Sequence, residues 1–477
     1  MNAHATLLLP AATKKFAGWF TPVFELAARG AMFHRLLVLT LGGIVLPAHA
    51  LAPGQLGTVL TIPVTGIGDT AYGGALDPDG GIVVGGSAQS GGAGALARVT
   101  AAGAIDTNFG AGMSGVWVYD LSNTSNDQEL ALVGIAGGGY AACGTFFSAG
   151  TATNFLTVRF DSNGLLDGTF NGGYAITPYL ASGAAGALYD QCNAVGVQSD
   201  GKIISAGFTD ADGPGRIMVT RHTTLGALDG TFAGGGKVKI DASLGSAAES
   251  IAHALLVLPN DKLLIAGQAG GAFNNIEFLL MRLNANGTPD TSFGSAGTGI
   301  VRTSVGAGAD IAYAIALQPD GKIVLAGSSI AAGGHTDFAL VRYDSGGTPD
   351  PGFGSGGIVT TPIGPGEDIA YAVTVMPWGR IVAAGSARIS TSLGGTDIAV
   401  VAYNANGTLD RFFANQGKYM AQVTGSADEV INALVADVGR DHFWAIGAGV
   451  PTTARDFLVV DFGLPDTIFR DGFEVLP

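Results

Sequence analysis

The sequence predicts an all-β fold, a seven-bladed β-propeller. Three observations point there: a repeat of about 60 residues, two landmarks that each count seven copies, and a phase offset between the first strand and the last. The copy easiest to read is Asp310-Ile-Ala-Tyr-Ala-Ile-Ala-Leu-Gln-Pro-Asp-Gly-Lys-Ile-Val-Leu-Ala-Gly327, followed by Phe338-Ala-Leu-Val-Arg-Tyr-Asp344 and Asp350-Pro-Gly-Phe-Gly354. The Asp-x-x-Phe landmark recurs at Asp106, Asp167, Asp229, Asp290, Asp350, Asp410 and, in weaker form, Asp466. The second landmark is the Gly closing the second strand: Gly86, Gly144, Gly207, Gly267, Gly327, Gly385 and Gly447.

Each unit reads as four strands, a to d. In the clearest copy strand a is Ile311–Leu317, b is Lys322–Ala326, c is Phe338–Tyr343 and d is Gly357–Pro362. Pro319-Asp-Gly321 turns a into b, with Pro fixing φ and Gly supplying a positive one. Asn284-Ala-Asn-Gly287 and Asn404-Ala-Asn-Gly407 do similar work between c and d. Four antiparallel strands per unit make a propeller blade, whereas a parallel β-helix would need much shorter rungs. The chain opens with a d-type strand at Gly57–Val64 and ends after a c-type strand, Phe457–Phe462. The N-terminal strand is therefore expected to pair beside the last one and close the ring, leaving no blade with a free edge.

Composition agrees. There are 77 Gly, 47% of residues are hydrophobic and only 13% are charged, which suits short strands joined by Gly-rich turns and excludes a disordered tail or a helical bundle. Residues 1–50 read as a secretory leader. Arg35 precedes an apolar core from Leu36 to Leu46, and Ala48-His-Ala50 offers the small residues a signal peptidase reads; Met32 is an alternative start. The apolar core is too short to span a bilayer, and no later run of 18 apolar residues follows, so no membrane span is expected. Residues 51–463 form the propeller and 464–477 a tail. Net charge is −15, a surface that repels nucleic acid and anionic lipid.

The run Leu-Gln-Pro-Asp-Gly-Lys-Ile-Val-Leu-Ala-Gly, with Phe-Ala-Leu-Val-Arg-Tyr and Thr-Pro-Asp-Pro-Gly-Phe-Gly, resembles the delta-60 repeat family of secreted or surface bacterial proteins. The likeness covers residues 57–463 and is closest in units three to six; Gly137-Gly-Gly139 and Gly439-Arg-Asp441 replace the Pro-Asp-Gly turn in the second and last. It implies export and a propeller-like repeat, and no established enzymatic activity. The ending Ile468-Phe-Arg-Asp-Gly-Phe-Glu474 also resembles a short terminus of exported bacterial proteins.

Several residue sets are candidates for chemistry. Acids recur at the entry of strand a: Asp69, Asp127, Asp190, Asp310, Asp368 and Glu429, with Ser250 after Glu249 in the fourth unit. They form either a ring able to hold a cation such as Ca²⁺ or a set of acceptors for backbone N–H groups in the loop before strand a. Arg98, Arg159, Arg221, Arg282 and Arg342 in strand c are expected to pair with the Asp of Asp-x-x-Phe inside each blade, a structural role. The loops Asp161–Asp167 and Asp344–Asp350 have oxygen ligands at alternate positions but lack the bidentate Glu of a calcium loop, so turn chemistry explains them. Cys143 and Cys192, the only cysteines, are either a disulfide joining units two and three or two buried thiols. No Gly-x-Ser-x-Gly, phosphate loop or dinucleotide fingerprint is present, and His222, His253, His335 and His442 fall at different places in their units.

These features favour a secreted or cell-surface binding module, a monomer without cofactor, whose glycan or protein ligand meets the inserts Ala88–Ala95, Ser329–Thr336 and Arg388–Thr396. An enzyme acting on an extracellular polymer, or a purely structural envelope protein, is the alternative.

Overall fold

A computed structural model describes residues 54–463 except 66–67, 89–91, 122–127, 148–152, 180–188, 212, 244–247, 272–274, 332, 389–394, 425–427, 440–441 and 451–453. The leader, the tail with Asp466, Asp127 and parts of the three inserts lie outside these residues.

Seven four-stranded antiparallel sheets are present. In the fifth, strand a spans Asp310–Leu317, b Ile323–Ile330, c Thr336–Tyr343 and d Ile358–Thr361. Strand b thus runs past Gly327 as a hairpin with c. The insert expected at Ser329–Thr336 therefore begins and ends in strand, at Ser329–Ile330 and Thr336, and Ala331 N–H donates to the His335 carbonyl at 2.9 Å between them. Likewise Arg388 pairs with Thr396, and Ala88 with Ala93. Strands b and c thus enclose each insert as a hairpin.

The last sheet is assembled from both ends of the chain. Leu56–Ile62 lies antiparallel to Asp456–Gly463, with Leu60 opposite Val459 and Ile62 opposite Phe457. The a strands are Thr70–Leu76, Gln128–Gly134, Asp190–Val197, Ser250–Val257, Asp310–Leu317, Asp368–Val375 and Val430–Asp437. Each touches the next, and the seventh touches the first, so they form the inner wall of a ring.

The burial pattern follows from this placement. Strand b is sandwiched between two neighbouring blades and reads as an unbroken buried run, as in Ile323–Ser329. Strand a alternates, one face against the neighbouring blade and the other facing the axis. Seven apolar clusters each span one blade junction; the junction of blades five and six, for example, joins Phe338, Leu340 and Phe353 to Val373, Ala383 and Val401. The hydrophobic core is therefore not one volume but a circle of seven joints.

Asp-x-x-Phe fastens six of the joints, the seventh copy at Asp466 lying outside the described residues. The strand-c arginine pairs with the Asp at 3.0 Å in Arg159–Asp167, 2.9 Å in Arg221–Asp229, 2.6 Å in Arg282–Asp290 and 2.9 Å in Arg342–Asp350, and Arg98 pairs with Asp106. The guanidinium of Arg98, Arg221, Arg282 and Arg342 lies over the Phe ring, 4.3 Å from the centroid for Arg282 and Phe293. A further N–H crosses to the next blade, from Arg282 to the Ser345 carbonyl at 2.7 Å and from Arg221 to that of Ala285 at 2.6 Å. The Phe packs beneath a turn glycine of that next blade: a Cβ added at Gly347 would sit 2.7 Å from the Phe293 ring. Lys202, Lys262 and Lys322 reinforce the same Asp residues. In blade six, where Ala402 replaces the strand-c arginine, Arg380 at the lysine position takes over, 2.8 Å from Asp410.

Candidate functional site

The acids at the entry of strand a are capping groups. Asp69 accepts from Val64 N–H and Thr65 N–H at 3.1 and 2.8 Å, Asp310 from Val305 N–H at 2.7 Å, and Asp368 from Ile363 N–H at 2.7 Å. Asp190 accepts from Tyr179 N–H at 2.8 Å, Glu429 from Val423 N–H at 2.8 Å, and the Ser250 hydroxyl from Ala242 N–H at 3.3 Å. All six are buried. Burial raises the pKa of Asp190 and Asp368, and the hydrogen bonds they accept oppose that rise. These acids satisfy the loop that carries the chain from strand d to the next strand a, and none lines the channel described below. Among the described residues no group of three or more His, Cys, Asp or Glu is placed to hold a metal. In the two loops with a calcium-like pattern, Asp161 Oδ1 accepts from Asn163 and Leu165 N–H, and Asp344 Oδ1 from Gly346 and Thr348 N–H. Both are turns closed by an Asp side chain.

Cys143 and Cys192 form a disulfide between strand b of blade two and strand a of blade three, both sulfurs buried. They stand where blade five has Ala326 and Ala312, so the bond adds a covalent clasp at a joint otherwise made by small side chains there.

The structure brings together a set of residues that the sequence does not mark. In every blade the pairing of strand a with b slips by one residue, a β-bulge, between Ala71 and Gly73, Glu129 and Ala131, Cys192 and Ala194, Ala252 and Ala254, Ala312 and Ala314, Ala370 and Ala372, and Ile431 and Ala433. The extra residue has no cross-strand partner, and the strand bends there. The seven bulge residues are Tyr72, Leu130, Asn193, His253, Tyr313, Tyr371 and Asn432, all half-buried. All seven line one cavity of about 460 Å³ on the ring axis, with small and aliphatic neighbours from the same strands.

The Gly landmark explains the bulge. A Cβ on Gly327 would lie 1.8 Å from the Ile311 carbonyl oxygen, and at Gly207, Gly267, Gly385 and Gly447 the corresponding distance is 1.8–1.9 Å. Only a residue without a side chain lets the bent strand come this close. The sequence showed that Gly recurs; the reason, and the residue the bulge turns inward, needed the pairing register.

Around the ring the lining is uneven. His253, Tyr313 and Tyr371, on consecutive blades, form a continuous aromatic arc, with ring centroids 5.2 Å apart between His253 and Tyr313 and 5.1 Å between Tyr313 and Tyr371. Asn193 and Asn432 flank the arc on either side. Each donates one amide N–H to the next strand a, to Ala252 O and Ala71 O respectively, both at 2.9 Å. Tyr72 and Leu130 occupy the remaining two blades. His253 Nε2 lies 3.2 Å from Gln268 Oε1; burial holds its imidazole below the ordinary histidine range, opposed by that hydrogen bond. Burial pushes the Tyr313 hydroxyl up to about 12, with the Tyr371 hydroxyl adding to the shift, and raises Tyr72 and Tyr371 as well. Among the described residues lining the cavity none is an Asp, Glu, Lys or Arg.

Four segments, residues 78–109, 258–293, 318–353 and 379–413, match the model of a family described as a domain of unknown function (DUF5122) beta-propeller. Each runs from near the a-to-b turn through Asp-x-x-Phe, the stretch that builds the inter-blade joint. No curated protein matches the chain. Similar solved structures include a catalytically inactive virginiamycin B lyase from Staphylococcus aureus with quinupristin, at 12% identity and a TM-score of 0.42, covering 85% of this chain and 99% of that one. A polysaccharide lyase is similar at 10% identity and a TM-score of 0.44, covering 84% of this chain and 91% of that one. The hydrazine synthase of Kuenenia stuttgartiensis matches at 10% identity and a TM-score of 0.42, covering 82% and 94%. Likeness this distant carries no argument about chemistry.

Proposed function

We propose that this chain is an exported binding propeller that takes its ligand, a glycan or a protein segment, into the central channel. One observation carries the reading: all seven blades turn their bulge residue into a single cavity. The positions that hold the blades together repeat around the ring, whereas this inward position holds Tyr, Leu, Asn, His, Tyr, Tyr and Asn. On a repeat scaffold, variation at one cavity-facing position among fixed neighbours is where recognition resides. The cavity volume falls within the range of small-ligand sites, and its mix of aromatic faces with a few amides is what such sites are made of. Export is supported by the leader-like segment ending at Ala50 and by the buried disulfide, a bond that persists in oxidising compartments.

A glycan and peptide binding screen with the exported chain, repeated with Tyr313→Ala and Tyr371→Ala, tests this. Binding that disappears in both variants supports the channel. Binding that survives both moves recognition to the hairpin tips, and turnover in a parallel hydrolase and lyase panel moves the chain to the enzymes. N-terminal sequencing of secreted material is expected to begin at Leu51; recovery of an intact residue 1–50 segment would remove the export reading.

A further inference from the structure

We infer that the channel ligand is an uncharged sugar unit, most simply the end or a projecting branch of a neutral glycan. This rests on the channel reading and narrows it by chemistry. The first argument is charge. The chain carries a net charge of −15, yet among the described residues the cavity wall contains no Asp, Glu, Lys or Arg. Its titratable groups, His253 and three tyrosines, are all neutral at neutral pH, since burial shifts each toward its uncharged form. An ionic ligand entering this space would shed water and meet no counter-charge on the described wall, where Glu367 beside Tyr371 and Arg455 near Tyr72 are outside the lining, and that is costly; anions would also have to approach through the field of an acidic protein.

The second argument is shape and polarity. The arc His253–Tyr313–Tyr371 offers adjoining ring faces across three consecutive blades. Flat apolar faces of this kind suit the C–H face of a sugar ring. The asparagines at either end of the arc each commit one N–H to a neighbouring strand carbonyl, which fixes the amide. Their Oδ1 atoms and second N–H groups remain for hydroxyls at the ligand's rim. The Tyr371 hydroxyl, with Glu367 as its charged neighbour, stands on the same wall. A group with two apolar faces and a belt of hydroxyls matches this arrangement, whereas an extended peptide would present its bulk to a cavity of only about 460 Å³.

Isothermal titration of the full exported chain tests the inference. The probes are neutral oligosaccharides (cello-, malto-, xylo- and manno-oligosaccharides), anionic ones (oligogalacturonate and alginate fragments) and cationic chitosan oligomers. The expected result is binding of at least one neutral series, none of the charged ones, and a loss of roughly tenfold or more in affinity for Tyr313→Ala and Tyr371→Ala. Trp378→Ala, which removes an exposed indole at an a-to-b turn, should leave affinity unchanged. Binding of a charged series that is lost in the two tyrosine variants would overturn the neutral-ligand inference while leaving the channel reading intact. Neutral-sugar binding indifferent to both tyrosines would overturn the channel reading itself. Absence of binding by every series would overturn the glycan assignment, with the peptide arm of the earlier screen left to decide the channel.

Discussion

Deleting residues 51–62 should cost this protein most of its stability, although the segment is short and terminal. It supplies the outer strand of the seventh blade, so its loss leaves Asp456–Gly463 as a free edge and opens the ring. The side chains divide between two joints. Leu56 and Val59 pack toward Phe443, Phe462 and Phe413, while Leu60 and Ile62 pack toward Trp444, Phe457 and Ile82. Ile62 is fully buried, and the other three are half-buried. Full burial of one aliphatic side chain and half-burial of three amount to roughly 5 kcal/mol by transfer. That is comparable to the whole net stability of many domains, about 5–15 kcal/mol. Urea denaturation followed by far-UV circular dichroism, with size-exclusion chromatography beside it, should show a much lower midpoint and self-association through the new edge. A positive control is available in the paired residues Leu60 and Val459: the double variant Leu60→Cys/Val459→Cys should cross-link under mild oxidation, since opposed Cβ atoms in a sheet lie about 5 Å apart. A deletion variant that unfolds at the full-length midpoint and elutes as a monomer, together with failure to cross-link, would refute the closed ring.

Replacing both cysteines by alanine, the residue found at the same two places in blade five, should destabilise by about 4 kcal/mol in the chain-entropy model for a separation of 49 residues; a shift in the urea midpoint smaller than a quarter of that would mean the ring already holds the two ends together. Gly327→Ala should cost about 3 kcal/mol or more, because its Cβ would meet a backbone carbonyl at 1.8 Å that cannot move without breaking the bulge; an unchanged midpoint would contradict the bulge geometry. His442 lies between Asp437 Oδ2 at 3.1 Å and Asp461 Oδ1 at 2.5 Å, and although burial alone would lower its pKa, these carboxylates raise it above the ordinary value. Its contribution is therefore fully present below the unfolded value of about 6.5 and is lost as pH rises through the higher folded value. Melting temperature measured from pH 6 to pH 9 should fall more for the native chain than for His442→Gln; parallel curves would dismiss the effect.

The sequence made the scaffold legible because the scaffold repeats. Asp-x-x-Phe and the strand-b Gly recur at nearly fixed spacing since each acts at a joint that is geometrically the same in every blade. The Phe must fill the space under the next blade's turn glycine, and the Gly must admit a carbonyl. The opening d-type strand, read at Gly57–Val64 and found at Leu56–Ile62, was visible for the same reason, as a copy displaced from its unit. What was hidden is what does not repeat. Tyr72, Asn193 and His253 share no residue type, and in a linear reading of strand a each looks like an ordinary position in an alternating pattern. The one-residue slip that turns them inward is a property of the pairing with strand b, which periodicity within strand a does not reveal. The acids at the strand entry illustrate the opposite case. Their recurrence left two readings open, a cation ring and a set of backbone acceptors, and the N–H groups that Asp69, Asp310 and Asp368 accept fit the second.

The bulge also accounts for how such a ring can acquire specificity. A bulge residue has no cross-strand partner, and its side chain points to the axis instead of into a blade joint, so exchanging it alters the channel wall while leaving the apolar clusters in place. Its neighbours are constrained: Ala312 and Ala314, on either side of Tyr313, are buried against the adjoining blades. Each unit thus presents one free position between two fixed ones, at equivalent places on the inner wall. Three adjacent units here carry aromatic rings, and the amides of Asn193 and Asn432 stand at the two ends of that arc. Side chains assembled from seven separate segments make a single surface only when the ring is closed. Opening the blade that contains Leu56–Ile62 should therefore abolish ligand binding together with stability, even though no residue of that strand lines the cavity.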